Sequence, residues 1–484
     1  MKKTEQVFLF GFFFIYVVLG LTLLYYHEPW RDEAQAWLIA RDLSFLRILS
    51  QMGYEGTPAF WHVLIMPFAK LGFPYKSMHV LHFFIAIVII YFWLYKSPFP
   101  LYIKLLYIFS YSMLFDYCVI ARNYNISLLL LFVIAYLYKE RKRFALRYAV
   151  LIALLSNTNA HSFGIALVLT FIFYRDVIHL NISVSRRFAL LLIPLLGIIT
   201  AFYQLLPHPD NIYHGLFQYH KLNAPFYALI NGFTSLVFDA FFFDGVILIL
   251  VLYAIVQFLK VSKEKNCDVY YILIFSYGWL FYIFICKHFG FFRHHVFLLN
   301  VFIFCLWIYK NDQVKTDRDL SAVFIPLTIC LIVSVVHCGI IFQKEIKLPF
   351  SGSTDMASYI KQNGLEKEII VAYRAPHASS VLPYFNNLKF WYADIRDYGT
   401  FITWNTEYER NQDLKTEDIF KRAEDAGLSR AIFLFNKRLP NVLCKKYKLV
   451  LVYKVDNVFG YGEETLFLYK KMACEKSYQY QLSS

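Results

Sequence analysis

The chain has 484 residues, of which 58% are hydrophobic, 20% aromatic and 17% charged, with a mean hydropathy of +0.46. Those figures exclude a soluble multidomain protein, a disordered chain and a fibrous one, and describe an integral membrane protein. The net charge of +14 is no nucleic-acid footprint: residues 1–341 hold 27 Lys+Arg against 17 Asp+Glu, residues 342–484 hold 21 against 17, and in the first part the excess lies in short loops between apolar runs.

Taken in chain order, eleven apolar runs approach the ~20 residues that cross a hydrocarbon core. They are 7–26, 78–95, 101–115, 126–138, 148–160, 163–174, 188–206, 245–259, 269–285, 295–309 and 320–341. The first reads as an uncleaved helix, since it is long for a signal peptide's apolar region and YYHEPW follows it in place of a cleavage site. With the N-terminus inside, segments 1–6, 96–104, 139–147, 175–187, 260–268 and 310–319 hold 18 of the 27 Lys+Arg, and the stretch from Lys139 to Arg147 is the strongest marker of the inner side. The N-terminus is therefore expected to be cytoplasmic, in a bacterial-type cytoplasmic (inner) membrane, with everything after residue 341 extracytoplasmic. Two domains result: 1–341, transmembrane with outer loops, and 342–484, outside.

From Ser351 the texture changes. Helix signals at 354–363, 378–385 and 415–426 alternate with strand signals at 368–373, 388–393, 431–435, 447–455 and 465–470, which predicts an α/β domain. It contains neither a Gly-rich phosphate loop nor a nucleophile elbow. The eight cysteines show no CxxC spacing, and Cys444 and Cys474 either pair in an oxidising compartment or remain thiols.

Sorting polar residues by side gathers the unusual ones outside. The loop after the first run brings His27, Glu28, Arg31, Asp32 and Glu33, and Glu55 follows near a turn; later turns bring Asp116, Arg122, Asn123 and Tyr124, then Asn157, Asn159 and His161. Residues 207–244 bring His208, Asp210, His214 and His220, and the approach to the tenth run brings Lys287, His288, Arg293, His294 and His295. Ionisable groups beside apolar helices usually face a cavity, so this convergence points to an outward site at the membrane boundary. A carboxylate can orient and deprotonate an acceptor hydroxyl, while Arg and His can hold a phosphate leaving a sugar carbon. Transfer of a glycosyl group from a polyprenyl-phosphate carrier needs both, and needs no nucleotide.

One apolar helix, an acidic pair at Asp32-Glu33, and YEGTPAFWHVLI resemble the opening of GT-C glycosyltransferases, the multi-pass group that includes protein O-mannosyltransferases and aminoarabinose transferases. ARNYNISLLLL (Ala121 to Leu131) looks like that group's Arg-x-Tyr entry to a helix, and FRHHVFLL (Phe292 to Leu299) resembles its late basic motif. Thr57 stands where many relatives have a basic residue or His before the Pro. The resemblance implies a GT-C-like fold of about 11 transmembrane helices and a hexosyl or mannosyltransferase-like enzyme. Together with the side-sorted polar residues, it gives Asp32 as the catalytic carboxylate supported by Glu33 or Asp116, places Arg122, Arg293, His294 and His295 at the donor phosphate, and Glu55, Tyr124 and His161 at the substrate.

Simpler readings stand beside these. Asp32 can be the N-cap of an interfacial amphipathic helix carrying Ala34, Trp37, Leu38, Phe45, Ile48 and Leu49, and Arg122 an interface anchor. No cofactor is required; His161, His208, His214 and His220 raise a divalent metal such as zinc, but their spacings match no ligand motif. The expected partners are a polyprenyl-phosphate-linked sugar, a glycan, lipid or protein acceptor and the lipid bilayer, with no nucleic acid. The alternatives are a polytopic transporter or flippase and a non-catalytic subunit of a cell-surface glycan assembly system. A transporter should show an internal repeat, and Pro194 and Gly197 have no counterpart at a matching position.

Overall fold

A computed structural model of the chain describes residues 3–212, 222–238, 240–312, 320–411, 413–428, 430–460 and 464–472. The residues divide into two compact units, one of Met1–His27 with Ala40–Lys347 and one of Glu28–Ile39 with Leu348–Ser484. This differs from a division at residue 341. That position falls inside an unbroken helix, Ser321–Lys347, and the segment Glu28–Ile39 is built into the second unit. The physical reason is packing, given below.

In the first unit, eight helices among the described residues are long and apolar enough to cross a membrane: Glu5–Tyr26, Ser77–Lys96, Ala160–Ile178, Val184–Leu205, Phe242–Lys265, Cys267–Cys286, Phe292–Asp312 and Ser321–Lys347. The other three expected runs are shorter elements. Residues 126–138 lie in Tyr124–Leu137, and 148–160 in Ala145–Ser156 followed by a break. The run 101–115 is a helix over Leu101–Ile108 and then a π-helical turn, Ser112–Asp116, in which the Tyr117 N–H donates to the Ser112 carbonyl at 2.8 Å. A π turn frees backbone groups from the ordinary ladder. Here one of them, the Met113 carbonyl, accepts from Tyr16 Oη at 2.7 Å.

Local sequence sets several helix starts. Asn159 Oδ1 accepts from the Ser162 N–H at 2.9 Å to open Ala160–Ile178, and Asn266 Oδ1 accepts from the Val269 N–H at 3.1 Å to open Cys267–Cys286. Each satisfies one of the donors that a helix start leaves unpaired. Gly197 allows a close helix approach, since a Cβ there would lie 2.5 Å from Ala153 Cα; Asn157 Nδ2 uses that approach to donate to the Gly197 carbonyl at 2.8 Å. At one end of the bundle, Arg141 pairs with Asp176 at 2.6 Å and with Asp268 at 3.3 Å, while Arg175 pairs with Asp268 at 2.8 Å. These charges neutralise one another at the ends of helices that would otherwise carry them unpaired beside apolar surface.

Phe292–Asp312 is buried on all sides, every residue from Arg293 to Tyr309 included. A helix apolar all round belongs at the centre of a bundle. Its one interior amide, Asn300, accepts from Tyr107 Oη at 2.8 Å.

The second unit is a six-stranded mixed sheet of β1 Ile370–Ala372, β2 Phe390–Tyr392, β3 Asp397–Gly399, β4 Ile432–Phe435, β5 Leu449–Val455 and β6 Leu466–Lys471, in the order β3-β2-β1-β4-β6-β5. Strand β1 pairs parallel with β2 and β4, and the remaining pairs are antiparallel. The strand and helix signals read from the sequence all fall on these elements or on Ser353–Gln362, Ser379–Tyr384 and Thr416–Asp425; β3, Thr406–Asn411 and Asn441–Lys446 are additional. Alternate strand residues face opposite ways. Ile370, Ala372, Ile432 and Leu434 join Met356 and Ile360 on one face, while Val371, Phe433 and Phe435 join Ile419 and Phe420 on the other.

The first of those faces also takes Ala34 and Leu38, both wholly buried. They are one helical turn apart on Arg31–Asp42, so the stripe that could lie on a lipid surface instead completes a protein core. The helix ends before Ser44, and Ile48 lies on a separate helix, Phe45–Glu55. A single interfacial helix spanning these residues is therefore not formed. Leu38→Ala should destabilise the second unit by about 2–4 kcal/mol, seen in the full-length protein as faster proteolysis within residues 348–472 and unchanged cleavage in the helical unit.

Candidate functional site

Each unit holds one cluster of the residues singled out by the sequence. In the second unit, Asp32 and Glu33 occupy the first turn of Arg31–Asp42. Trp30 precedes the helix, and its N–H donates to Glu33 Oε2 at 3.1 Å. That is the reciprocal half of a capping box: the third helical residue reaches back to the cap. So the cap position belongs to Trp30 and not to Asp32. Glu33 is fully buried and structural in this contact, whereas the Asp32 side chain retains 25% exposure.

Around Asp32 the fold brings residues that the sequence gave no reason to connect. Arg31 Nε lies 4.0 Å from Asp32 Oδ1 and 3.4 Å from Glu464 Oε1, and the same guanidinium hydrogen-bonds His377 Nε2. Glu464 is the second residue before β6 and His377 lies in a short helix after β1, so both come from the ends of strands in the same sheet. Glu464 is 2% exposed. Burial pushes its carboxyl up to about 8, against a pull downward by Arg31 and a further push from the charge of Asp32. No sequence signal marked Glu464, because EETLFLYK reads as a solvated acidic turn before a strand.

In the first unit, the π turn ends at Asp116, which is buried, and Arg122, Asn123 and Tyr124 follow. Asn123 Nδ2 donates to Thr57 Oγ1 at 2.8 Å and to the Thr158 carbonyl at 2.9 Å, tying the Pro-aromatic segment to this turn. Arg122 lies close enough to His62 that its charge adds to burial in holding that imidazole down at about 3. Glu55, half-buried, ends its helix and accepts from Gln51 Nε2 at 3.3 Å.

Tyr124, His161 and His294 form one group. The Tyr124 and His294 side chains are joined at 2.7 Å, and the His161 and His294 rings stack at 5.1 Å and 9°. His294 Nδ1 accepts from the Phe291 N–H at 2.8 Å, so Nε2 is the nitrogen that donates to Tyr124 Oη, the pattern of a neutral imidazole. His295 is similarly fixed, with Nε2 against the Phe289 carbonyl at 2.9 Å and Nδ1 against Asn231 Nδ2 at 3.0 Å. Both histidines thus act as oriented hydrogen-bonding groups. The fixed positive charge of the motif is Arg293, buried and lying over the Phe291 ring at 5.2 Å. His161 Nδ1 is buried with no hydrogen-bond partner among the described residues.

Of the four histidines raised as a metal set, the described residues include two, His161 and His208. His161 packs against Tyr124, His294, Phe284 and Phe297, whereas His208 stacks on Tyr54 at 4.4 Å; His214 and His220 lie outside the described residues, as does Cys474. Elsewhere in the first unit His27 Nδ1 pairs with Glu345 Oε1 at 2.9 Å, and the His27 and His79 rings are 6.1 Å apart.

Because the folded state binds the Glu464 proton more tightly than an ordinary carboxyl at 4.5, stability falls as pH rises from about 4.5 through about 8. Glu464→Gln should remove that component, so thermal midpoints across this range should fall less steeply than in the wild type; identical slopes would refute the burial account.

No family model matches the chain, and no curated relative matches it. Among solved structures it is similar to ArnT from Cupriavidus metallidurans bound to undecaprenyl phosphate, with a TM-score of 0.51 and 10% sequence identity, over 99% of this chain and 100% of that one. At that identity the likeness concerns the fold alone, which the two chains share over nearly their full lengths.

Proposed function

We propose that this protein is a GT-C-type glycosyltransferase that moves a sugar from a polyprenyl-phosphate carrier to an acceptor on the outer face of a bacterial-type cytoplasmic membrane. The observation that carries this reading is the end-to-end likeness to a protein solved with undecaprenyl phosphate, in a chain whose sequence independently sets an acidic pair after the first helix. Basic and histidine groups at the start of Phe292–Asp312 add support.

The chemistry assigns a role to each group. An acceptor hydroxyl oxygen forms a bond to the anomeric carbon, and its proton goes to the Asp32 carboxylate. The bond from that carbon to the carrier phosphate breaks, and the phosphate oxygen keeps the electron pair. Arg122 and Arg293 are the cations that balance this charge, with His294 and His295 as oriented hydrogen-bonding groups. The unpartnered nitrogen of His161 and the hydroxyl of Tyr124 suit a sugar's hydroxyls, and Glu55 and Asp116 are further contacts in this reading. Glu33, accepting from the Trp30 N–H, supports Asp32 by fixing the start of its helix. The expected topology is a cytoplasmic N-terminus and an extracytoplasmic second unit. No metal is needed for these steps. The acceptor is a glycan, lipid or protein, and a hexose of mannose type is the first sugar to test.

Asp32→Asn should abolish transfer, a loss of about 10²-fold or more, while undecaprenyl phosphate binding to the purified protein stays within about twofold. Mass spectrometry of surface glycans from cells with wild type or the variant reads the outcome and gives the sugar mass; a variant with full product would refute the role of Asp32. Arg293→Gln should show the converse, weakening undecaprenyl phosphate binding by about 10-fold or more. An unchanged donor pool with substrate trapped inside deletion cells would favour a transporter.

A further inference from the structure

Among the described residues of the second unit, the Arg31 guanidinium lies beside two carboxylates. Arg31 Nε is 3.4 Å from Glu464 Oε1 and 4.0 Å from Asp32 Oδ1, and its other end bonds His377. Glu464 is held from both sides: its backbone carbonyl accepts from the Gly352 N–H at 3.0 Å and its Oε2 from Ser351 Oγ at 3.3 Å. The same loop grips the approach to the helix, since Ser353 Oγ donates to the Pro29 carbonyl at 2.6 Å. Gly352 permits this contact, for a Cβ there would come within 3.2 Å of the Glu464 carbonyl oxygen. Glu464 is thus a fixed point against which Arg31, and with it the first turn bearing Asp32, is set.

We propose that Glu464 is a positioning residue for Asp32, acting through Arg31. This rests on the reading of Asp32 as the group that takes the acceptor's proton. One positive charge cannot fully neutralise two carboxylates in a partly buried site. When Glu464 holds its proton, Arg31 is left to Asp32 and orients that carboxylate. When Glu464 loses the proton, Arg31 is drawn to the deeper carboxylate and Asp32 loses its share of the cation. Glu464 is largely protonated at neutral pH, since burial pushes it up to about 8, with Arg31 acting downward, Asp32 upward and Ser351 downward. Such coupling is reciprocal: whatever Asp32 does to the proton affinity of Glu464, Glu464 does equally to that of Asp32.

The test is infrared titration of the full-length protein in detergent, following the protonated-carboxyl stretch. The wild type should show a band that disappears with a midpoint near pH 8, and Glu464→Gln, nearly isosteric, should lack it. Asp32→Asn should move the midpoint to lower pH and Arg31→Gln to higher pH. Ser351→Ala should raise it by up to about 1 pH unit, because a donor to the charged form is lost. A band that Asp32→Asn leaves in place would overturn the proposal, as would a wild type with no titration near pH 8 or a Glu464→Gln protein that retains the band. The surface-glycan measurement separates this from the functional reading. If Asp32→Asn moves the midpoint yet leaves product intact, Arg31 is shared but Asp32 is not the base, and both the positioning role and that assignment fall. If the midpoint is unmoved and product is lost, only the positioning role falls.

Discussion

Two apolar side chains determine where the carboxylate of Asp32 is held. Ala34 and Leu38 are buried in the core of the sheet-containing unit, and the helix they share begins with Arg31, Asp32 and Glu33. A helix turns 3.6 residues per revolution, so fixing its apolar stripe fixes the direction of its first turn. The orientation of Asp32, the reach of Arg31 to Glu464 and His377, and the cap that Glu33 makes to Trp30 all depend on that packing. A loop free to move at a membrane surface would deliver none of them with a defined geometry.

The helical unit solves a different problem. Its central helix is enclosed along its length, so a motif placed at its first turn is surrounded by other helices and not by lipid. His294 and His295 are oriented within this enclosure through hydrogen bonds to Tyr124, Asn231 and nearby backbone groups, and Arg293 is buried beside them. Buried polar groups are costly unless satisfied. Here the same bonds that satisfy the imidazoles also fix which nitrogen donates and which accepts.

Much of this was legible in the sequence, because much of it is local. Apolar run length located the membrane-spanning helices, and strand-forming runs located five of the six strands, β3 excepted. Residues 101–115 were misleading: the run is apolar enough for a span, but a π turn, fastened by Tyr16 from ninety-seven residues away, interrupts it. Likewise, the sequence offered Asp32 as the helix cap, whereas the hydrogen bond from the Trp30 N–H to Glu33 gives that position to Trp30. The least legible feature was the attachment of residues 28–39 to a sheet that starts more than three hundred residues later. Hydropathy reports burial and not the identity of the partner, and the same stripe of Ala34 and Leu38 suits lipid or protein equally. Glu464 and His377 were hidden for that reason; they acquire meaning only once the helix is docked beside them.

The discontinuous second unit also has a consequence for biosynthesis. Residues 28–39 are made more than three hundred residues before the sheet that covers Ala34 and Leu38. At about 5–20 residues per second, the ribosome needs tens of seconds to produce the intervening chain. Throughout that interval the helix carrying Asp32 has no core to join, and its apolar stripe must be sheltered by lipid, by a chaperone or by transient contacts. Assembly of the carboxylate centre therefore follows synthesis of the membrane helices, so a chain interrupted before β6 would have those helices already made and no Glu464 with which to set Arg31.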